Sequence, residues 1–197
     1  MSDPARTAKR PKTWEDLEDV PEGFVGEIVD GELVLVPVPN PPHSRARTRL
    51  MTILGGPFDL GRDGPGGWVV RSGHIQFGEE VRRPDLAAWR VERFEQLDDG
   101  PFTAVPDWIC EVVEKAYGRT DRVEKSRLYA KHGVRHYWIV DPAIETLEVY
   151  RLEGKTWVVA GAFGGDECVR LEPFEAIEIQ LAWLWKDRPF QPSTATP

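Results

Sequence analysis

Residues 107–113, Asp-Trp-Ile-Cys-Glu-Val-Val, constrain the fold of this chain more than any other stretch. The run reads as a buried strand, interrupted only by Glu111. Asp121, with Glu124 three residues later, has the spacing of a capping box with Asp in place of Ser or Thr. The pattern predicts a helix from there to His132, with Gly133 as its stop. His136 to Val140 is a second buried strand, ended by Asp141 and Pro142. A strand, a helix and a strand over residues 107–141 make a right-handed parallel crossover. The chain must therefore contain a sheet with a parallel pair.

The flanking segments are antiparallel in character. Phe24 to Val29 and Glu32 to Val38 are strands around Asp30-Gly31, a pair that tolerates the positive φ of a tight hairpin. Leu147 to Leu152 and Thr156 to Gly161 predict a second hairpin, and Trp68 to Arg71, His74 to Phe77 and Asp85 to Trp89 predict three short strands. Helical segments are expected at Trp14 to Val20 and from about His43 to Ile53, with Leu50, Met51 and Ile53 toward the core. Residues 91–106 read as a polar connection with a helical turn at Val91 to Leu97, and Phe174 to Leu184 as a late strand and turn. The expected fold class is α/β (α+β), a mixed β-sheet core flanked by helices. The expected organisation is a disordered tail over 1–12, one domain over 13–185, and a polar tail over 186–197.

Composition excludes some classes of function. No stretch approaches the ~20 apolar residues of a membrane span. Residues 1–12 are polar and basic, unlike a signal peptide, so a cytoplasmic location is expected. Two cysteines, with no suitably spaced histidines, cannot build a zinc cluster, and Cys110 reads as core. The net charge of −8 counts against broad non-specific binding to nucleic acid but leaves room for a local basic groove. Arg45 with Arg47, and Arg119 with Arg122, are local basic clusters.

Three residues carry the candidate chemistry. Alternation along the strand places Ile109, Glu111 and Val113 on one face, so Glu111 sits among apolar groups unless something compensates it. A structural ion pair, or an edge strand with a solvated face, would also accommodate it. Lys125 shares a helical stripe with Leu128, Tyr129 and His132 and points toward the sheet, unless its ammonium snorkels to water. Asp85 follows Pro84 at the start of a strand, where a turn aspartate is common. Two acids and a lysine converging at a sheet edge suit metal-assisted phosphodiester hydrolysis.

The segments Gly26 to Leu33, Arg83 to Ala87, Glu111 to Val113, Glu124 to Ala130 and Tyr137 to Pro142 resemble the Uma-two family of the PD-(D/E)XK nuclease superfamily. The resemblance covers about residues 14–185. It implies a restriction-endonuclease-like core in which Asp85 and Glu111 hold Mg2+, or Mn2+, with the Val112 carbonyl as a third ligand. It gives Lys125 the water-positioning or charge-stabilising role and adds Glu27 to the acidic cluster, although a solvated hairpin position is an equal reading for Glu27. DNA is then the expected substrate and a homodimer a plausible assembly. His43 lies where the family often has histidine, but an N-terminal cap or surface role is the safer reading. His74, His132 and His136 read as structural, and Trp183 to Trp185 as packing or a dimer surface.

The chain departs from the family pattern at two points. Val113 stands where the superfamily often has its lysine, and Glu114-Lys115-Ala116-Tyr117 replaces a Ser-Pro-Ser-Thr type segment. Lys115 thereby competes with Lys125 for the catalytic role. A catalytically silent binding or assembly module on the same fold is the main alternative. A carboxylate-pair hydrolase acting on sugar is a third reading, in which Lys125 has no evident duty.

Overall fold

The computed structural model describes residues 10–95 and 99–186. Most of the expected 1–12 tail, nearly all of the 186–197 tail, and part of the expected turn at Val91 to Leu97 lie outside the described residues. A 3-10 turn at Trp14–Leu17 leads into β1 (Phe24–Val29) and β2 (Glu32–Pro37), then helix α1 (Pro41–Leu54) and a π-helical turn at Gly55–Asp59. Next come β3 (Trp68–Arg71), β4 (Ile75–Phe77), β5 (Glu80–Arg82), β6 (Leu86–Arg90) and β7 (Trp108–Val112). A π-helical turn at Thr120–Lys125 runs into α2 (Ser126–His132). The chain then forms β8 (His136–Asp141), β9 (Thr146–Glu153), β10 (Thr156–Gly164), β11 (Cys168–Val169), β12 (Ile179–Gln180) and α3 (Ala182–Trp185).

The strands assemble into a six-stranded sheet ordered β10-β9-β8-β7-β6-β3, a four-stranded sheet ordered β2-β1-β5-β4, and the β11-β12 pair. The expected mixed architecture is observed. β7 pairs parallel with β8, with Glu111 opposite Ile139, and the other named strand pairs are antiparallel. The Asp30-Gly31 hairpin forms with φ of 49° and 73° at its two turn residues. Gly133 stops α2 at φ 82°, a left-handed conformation that strains any residue with a Cβ.

Alternation along β7 separates two cores. Trp108, Cys110 and Val112 face Leu50 and Leu54 of α1, with Trp138 and Phe174. Ile109 and Val113 face Leu128 and Tyr129 of α2, with Phe77, Trp89 and Tyr137. Glu111 belongs to the second face by the same period of two. Leu184 and Trp185 are buried, and Trp185 Nε1 donates to Gly165 O at 2.8 Å, so packing accounts for Trp185 while Trp183 remains partly exposed.

Two local expectations need correction, and two short strands stand where none is expected. Asp121 does not cap a helix: the π-helical turn begins at Thr120, no side chain caps it, and Asp121 turns inward as a buried acid. The predicted helix at Trp14 to Val20 is a single 3-10 turn, since Pro21 leaves too few residues to continue it. β5 and β11 lie in polar segments without strand alternation, and pairing with neighbouring strands makes them.

Candidate functional site

The chain crosses from the small sheet to the large one through Arg83 and Pro84, and that crossing builds the site. β6 pairs with β7 through Leu86–Cys110, so the residue just before that rung, Asp85, comes beside Glu111. Asp85 Oδ2 accepts a hydrogen bond from Val112 N–H at 2.8 Å. Glu27, buried on β1, accepts from Arg83 N–H at 2.9 Å and thereby fixes the segment ahead of Asp85. The turn leading into α2 then delivers Lys125.

These side chains converge on one cavity of about 110 Å3, lined among others by Glu27, Asp85, Glu111, Val112, Asp121 and Lys125. The Lys125 ammonium lies 3.1 Å from Glu111 Oε1, 3.2 Å from Asp121 Oδ1 and 3.8 Å from Glu27 Oε1. Glu111 Oε1 also accepts from Tyr129 Oη at 2.6 Å. The Arg82 guanidinium reaches Glu27 at 3.5 Å but leans on Glu80. All five residues assigned from the sequence, Asp85, Glu111, Lys125, Glu27 and Val112, therefore line the same cavity. Lys115 is exposed and does not line it. Glu114 does, and its side chain accepts from Asn40 N–H at 2.7 Å, tying the departing segment to the start of α1.

Asp121 and His43 also line the cavity, against expectation from the sequence. The cap-like spacing of Asp121 hides its place four residues before Lys125, on the same helix face. His43 is neither the expected cap nor a surface residue. It is buried, with Nε2 3.1 Å from Asp85 Oδ2. The cap is instead Asn40, whose Oδ1 accepts from His43 N–H at 3.0 Å. His43, Ala46, Leu50 and Leu54 form the buried stripe of α1, and that spacing was the available signal. His74, His132 and His136 lie outside the cavity lining.

The electrostatics show an excess of acid. Burial pushes Glu111 up to about 8; the Asp121 and Asp85 charges add to this, while Lys125 and the Tyr129 hydrogen bond oppose it. Burial likewise raises Asp121, against the pull of Lys125. Burial alone would lower Lys125, but Glu111, Glu27, Asp121 and Asp85 together hold it well above the ordinary lysine range. The two ends of the Lys125–Glu111 bridge thus differ: the ammonium stays charged while the carboxylate is pushed toward neutral. Burial drives the carboxylate toward neutral and one ammonium shared among three acids does not offset it, while the same acids hold the ammonium charged. Asp107, at the other end of the β7 run, is buried as deeply but accepts from Arg90 N–H at 3.0 Å and pairs with Arg93 and Arg135, a conventional structural arrangement. At the Glu111 end a single ammonium faces Glu111, Asp121 and Glu27.

Oxygen donors and surplus acid are the chemistry a hard divalent cation takes, and of the residues lining the cavity Asp85 and Glu111 would supply carboxylates and Val112 a backbone carbonyl. Among the described residues, no group of three or more His, Cys, Asp or Glu side chains is arranged to hold a metal ion, so a backbone or water oxygen would have to complete the shell. No helix among the described residues is long and apolar enough to cross a membrane.

Comparison with known proteins gives three findings. A solved structure described as a "putative nuclease belonging to DUF820" from Anabaena variabilis ATCC 29413 superposes with a TM-score of 0.69 at 21% identity, covering 88% of this chain and 99% of that one. At that identity the likeness is one of fold. No curated protein matches the chain. The family model Uma2, described as "Putative restriction endonuclease", matches residues 14–183, which include every cavity residue named above, and the chain belongs to that family.

Proposed function

We propose that this chain hydrolyses phosphodiester bonds in DNA, as an endonuclease dependent on Mg2+ or Mn2+, with Asp85 and Glu111 holding the cation. One observation carries the reading: Asp85, Glu111 and Lys125, from three separate elements, meet in a single cavity whose acids outnumber its cations. A divalent ion bound there supplies polarisation of the scissile phosphate and acidifies a water molecule. Lys125 places its ammonium beside Glu111, where it orients the attacking water or steadies charge on the phosphate. Tyr129 and Lys125 together fix the Glu111 carboxylate. His43 and the Val112 N–H fix that of Asp85. Glu111, Glu27 and Asp121 hold Lys125 charged and in place. A two-fold pair of chains would set two such sites on one duplex.

The test is cleavage of duplex DNA with Mg2+ or Mn2+ by wild type, Asp85→Ala and Glu111→Ala. The expected result is loss of cleavage in both variants with an unchanged far-ultraviolet circular dichroism spectrum. Cleavage retained in both would remove the assigned site.

A second reading, a nuclease fold kept as a binding module without chemistry, draws on the way Glu111 and Asp85 already engage Lys125, Tyr129, His43 and Val112. Calorimetric titration of Mn2+ separates the two. Binding to wild type and not to Glu111→Ala supports hydrolysis, and absence of binding with and without duplex DNA supports the silent module.

A further inference from the structure

Away from the acidic cavity, a second concavity of about 400 Å3 opens between α2 and the β9–β10 hairpin. Its lining includes Ser126, Arg127 and Lys131 from α2 and Lys155, Thr156 and Trp157 from the hairpin. The Trp157 ring packs 5.7 Å from Tyr137, and its Nε1 donates to Ser126 O at 2.8 Å. That bond ties the hairpin to the helix, so the groove has fixed walls.

The charge in this groove has no internal explanation. Arg127, Lys131 and Lys155 are all exposed, and no acid among the described residues pairs with any of them. The nearest acids in sequence are engaged elsewhere: Glu124 with Arg119 at 3.1 Å, and Glu153 with Arg151 at 3.0 Å. α2 itself contains no acid. Arg127 and Lys131 stand four residues apart on one helix, where like charges repel. The helix C-terminus favours Lys131 but does nothing for Arg127 or for Lys155 across the groove. The cations cluster here in a chain whose net charge is −8.

We propose that this groove docks the sugar-phosphate backbone of nucleic acid, outside the cavity that holds the carboxylates. The proposal rests on the nucleic-acid reading of that cavity. The groove begins at the residue after Lys125, which points inward while Arg127 points out. Arg127 and Lys131 are separated by about 6 Å along the helix axis. One strand carries a charge for about every 3.4 Å of duplex axis, so cations spaced on this scale can meet separate phosphates of one backbone. Backbone contacts of this kind position a duplex without reading its sequence.

The test is fluorescence anisotropy of a labelled DNA duplex in EDTA, so that no cleavage enters the readout. Wild type is compared with the triple variant R127Q/K131Q/K155Q and with the control R62Q/R170Q across a salt series. Each lost phosphate contact lowers the slope of log K against log salt by about 0.9, so the triple variant should lose about 2 to 3. The control should keep the wild-type slope. The substituted side chains are exposed, and coincident thermal melts confirm the fold; the single variants R127Q and K131Q repeat the measurement if the triple variant does not fold. An unchanged slope in a variant that folds, with wild type binding DNA, overturns this groove while the nucleic-acid reading stands. No binding by wild type at low salt overturns both. Binding of phosphatidylserine/phosphatidylcholine vesicles lost in the triple variant, with DNA binding intact, overturns the proposal in favour of a lipid surface.

Discussion

Glu111→Gln separates what this carboxylate does for stability from what it does for chemistry. The amide keeps the side-chain volume and the hydrogen bond from Tyr129, but it cannot ionise. In the metal-free protein, burial with the nearby Asp121 and Asp85 charges raises the carboxyl from 4.5 to about 8. A folded-state pKa above the unfolded value means that the folded protein holds the extra proton. This contribution to stability is therefore complete below pH 4.5 and is lost as pH climbs to about 8. At about 1.4 kcal/mol for each tenfold change in proton affinity, the ceiling is roughly 4 to 5 kcal/mol. Local relaxation and a high effective dielectric reduce the observable loss to about 1 to 3 kcal/mol. The Gln variant lacks this pH dependence. Urea unfolding in EDTA should find it equal to wild type near pH 5 and more stable by about 1 to 3 kcal/mol near pH 8. The same substitution should abolish both stabilisation by Mn2+ and DNA cleavage. A Gln variant less stable than wild type near pH 8, with a gap independent of pH, would refute the acid excess. It would mean that Lys125 fully compensates an ionised Glu111.

Lys125→Met keeps the buried stem and removes the ammonium from Glu111, Asp121 and Glu27. Because the Lys125 pKa is raised, its contribution is complete at neutral pH, so the variant should be less stable than wild type near pH 8 by about 3 to 5 kcal/mol. In a chain of this size, thermal melts should fall by about 6 to 20 °C. The loss should shrink near pH 5, where the acids take up protons. Asn40→Ala removes the cap of α1 and should lower stability by about 1 kcal/mol in the same assay. Gly133→Ala puts a Cβ at φ 82° in open space, so its cost is purely conformational, about 1 to 2 kcal/mol. An unchanged melt in either variant would count against the corresponding backbone assignment.

Much of this protein was legible locally. The apolar run at 108–112 defined a strand, and its period of two assigned Glu111 to a buried face with Ile109 and Val113. Asp30-Gly31 and Gly133 marked chain reversals, because few residues tolerate their φ. The helical stripe of Leu128 and Tyr129 aimed Lys125 at the sheet, and the structure finds its ammonium 3.1 Å from Glu111. What periodicity could not show was company. Asp121 carried a cap-like spacing, and only the π-helical turn, with burial against Lys125, made it a cavity acid. His43 lies on the helix that packs on the opposite face of β7, yet it meets Asp85 because the crossing at Arg83 and Pro84 brings the two sheets together there. A side chain's face follows from local backbone geometry, which neighbours in sequence determine. The sharing of one ammonium among Glu27, Glu111 and Asp121 depends on contacts between elements up to about a hundred residues apart, and only the packing of the two sheets decides those.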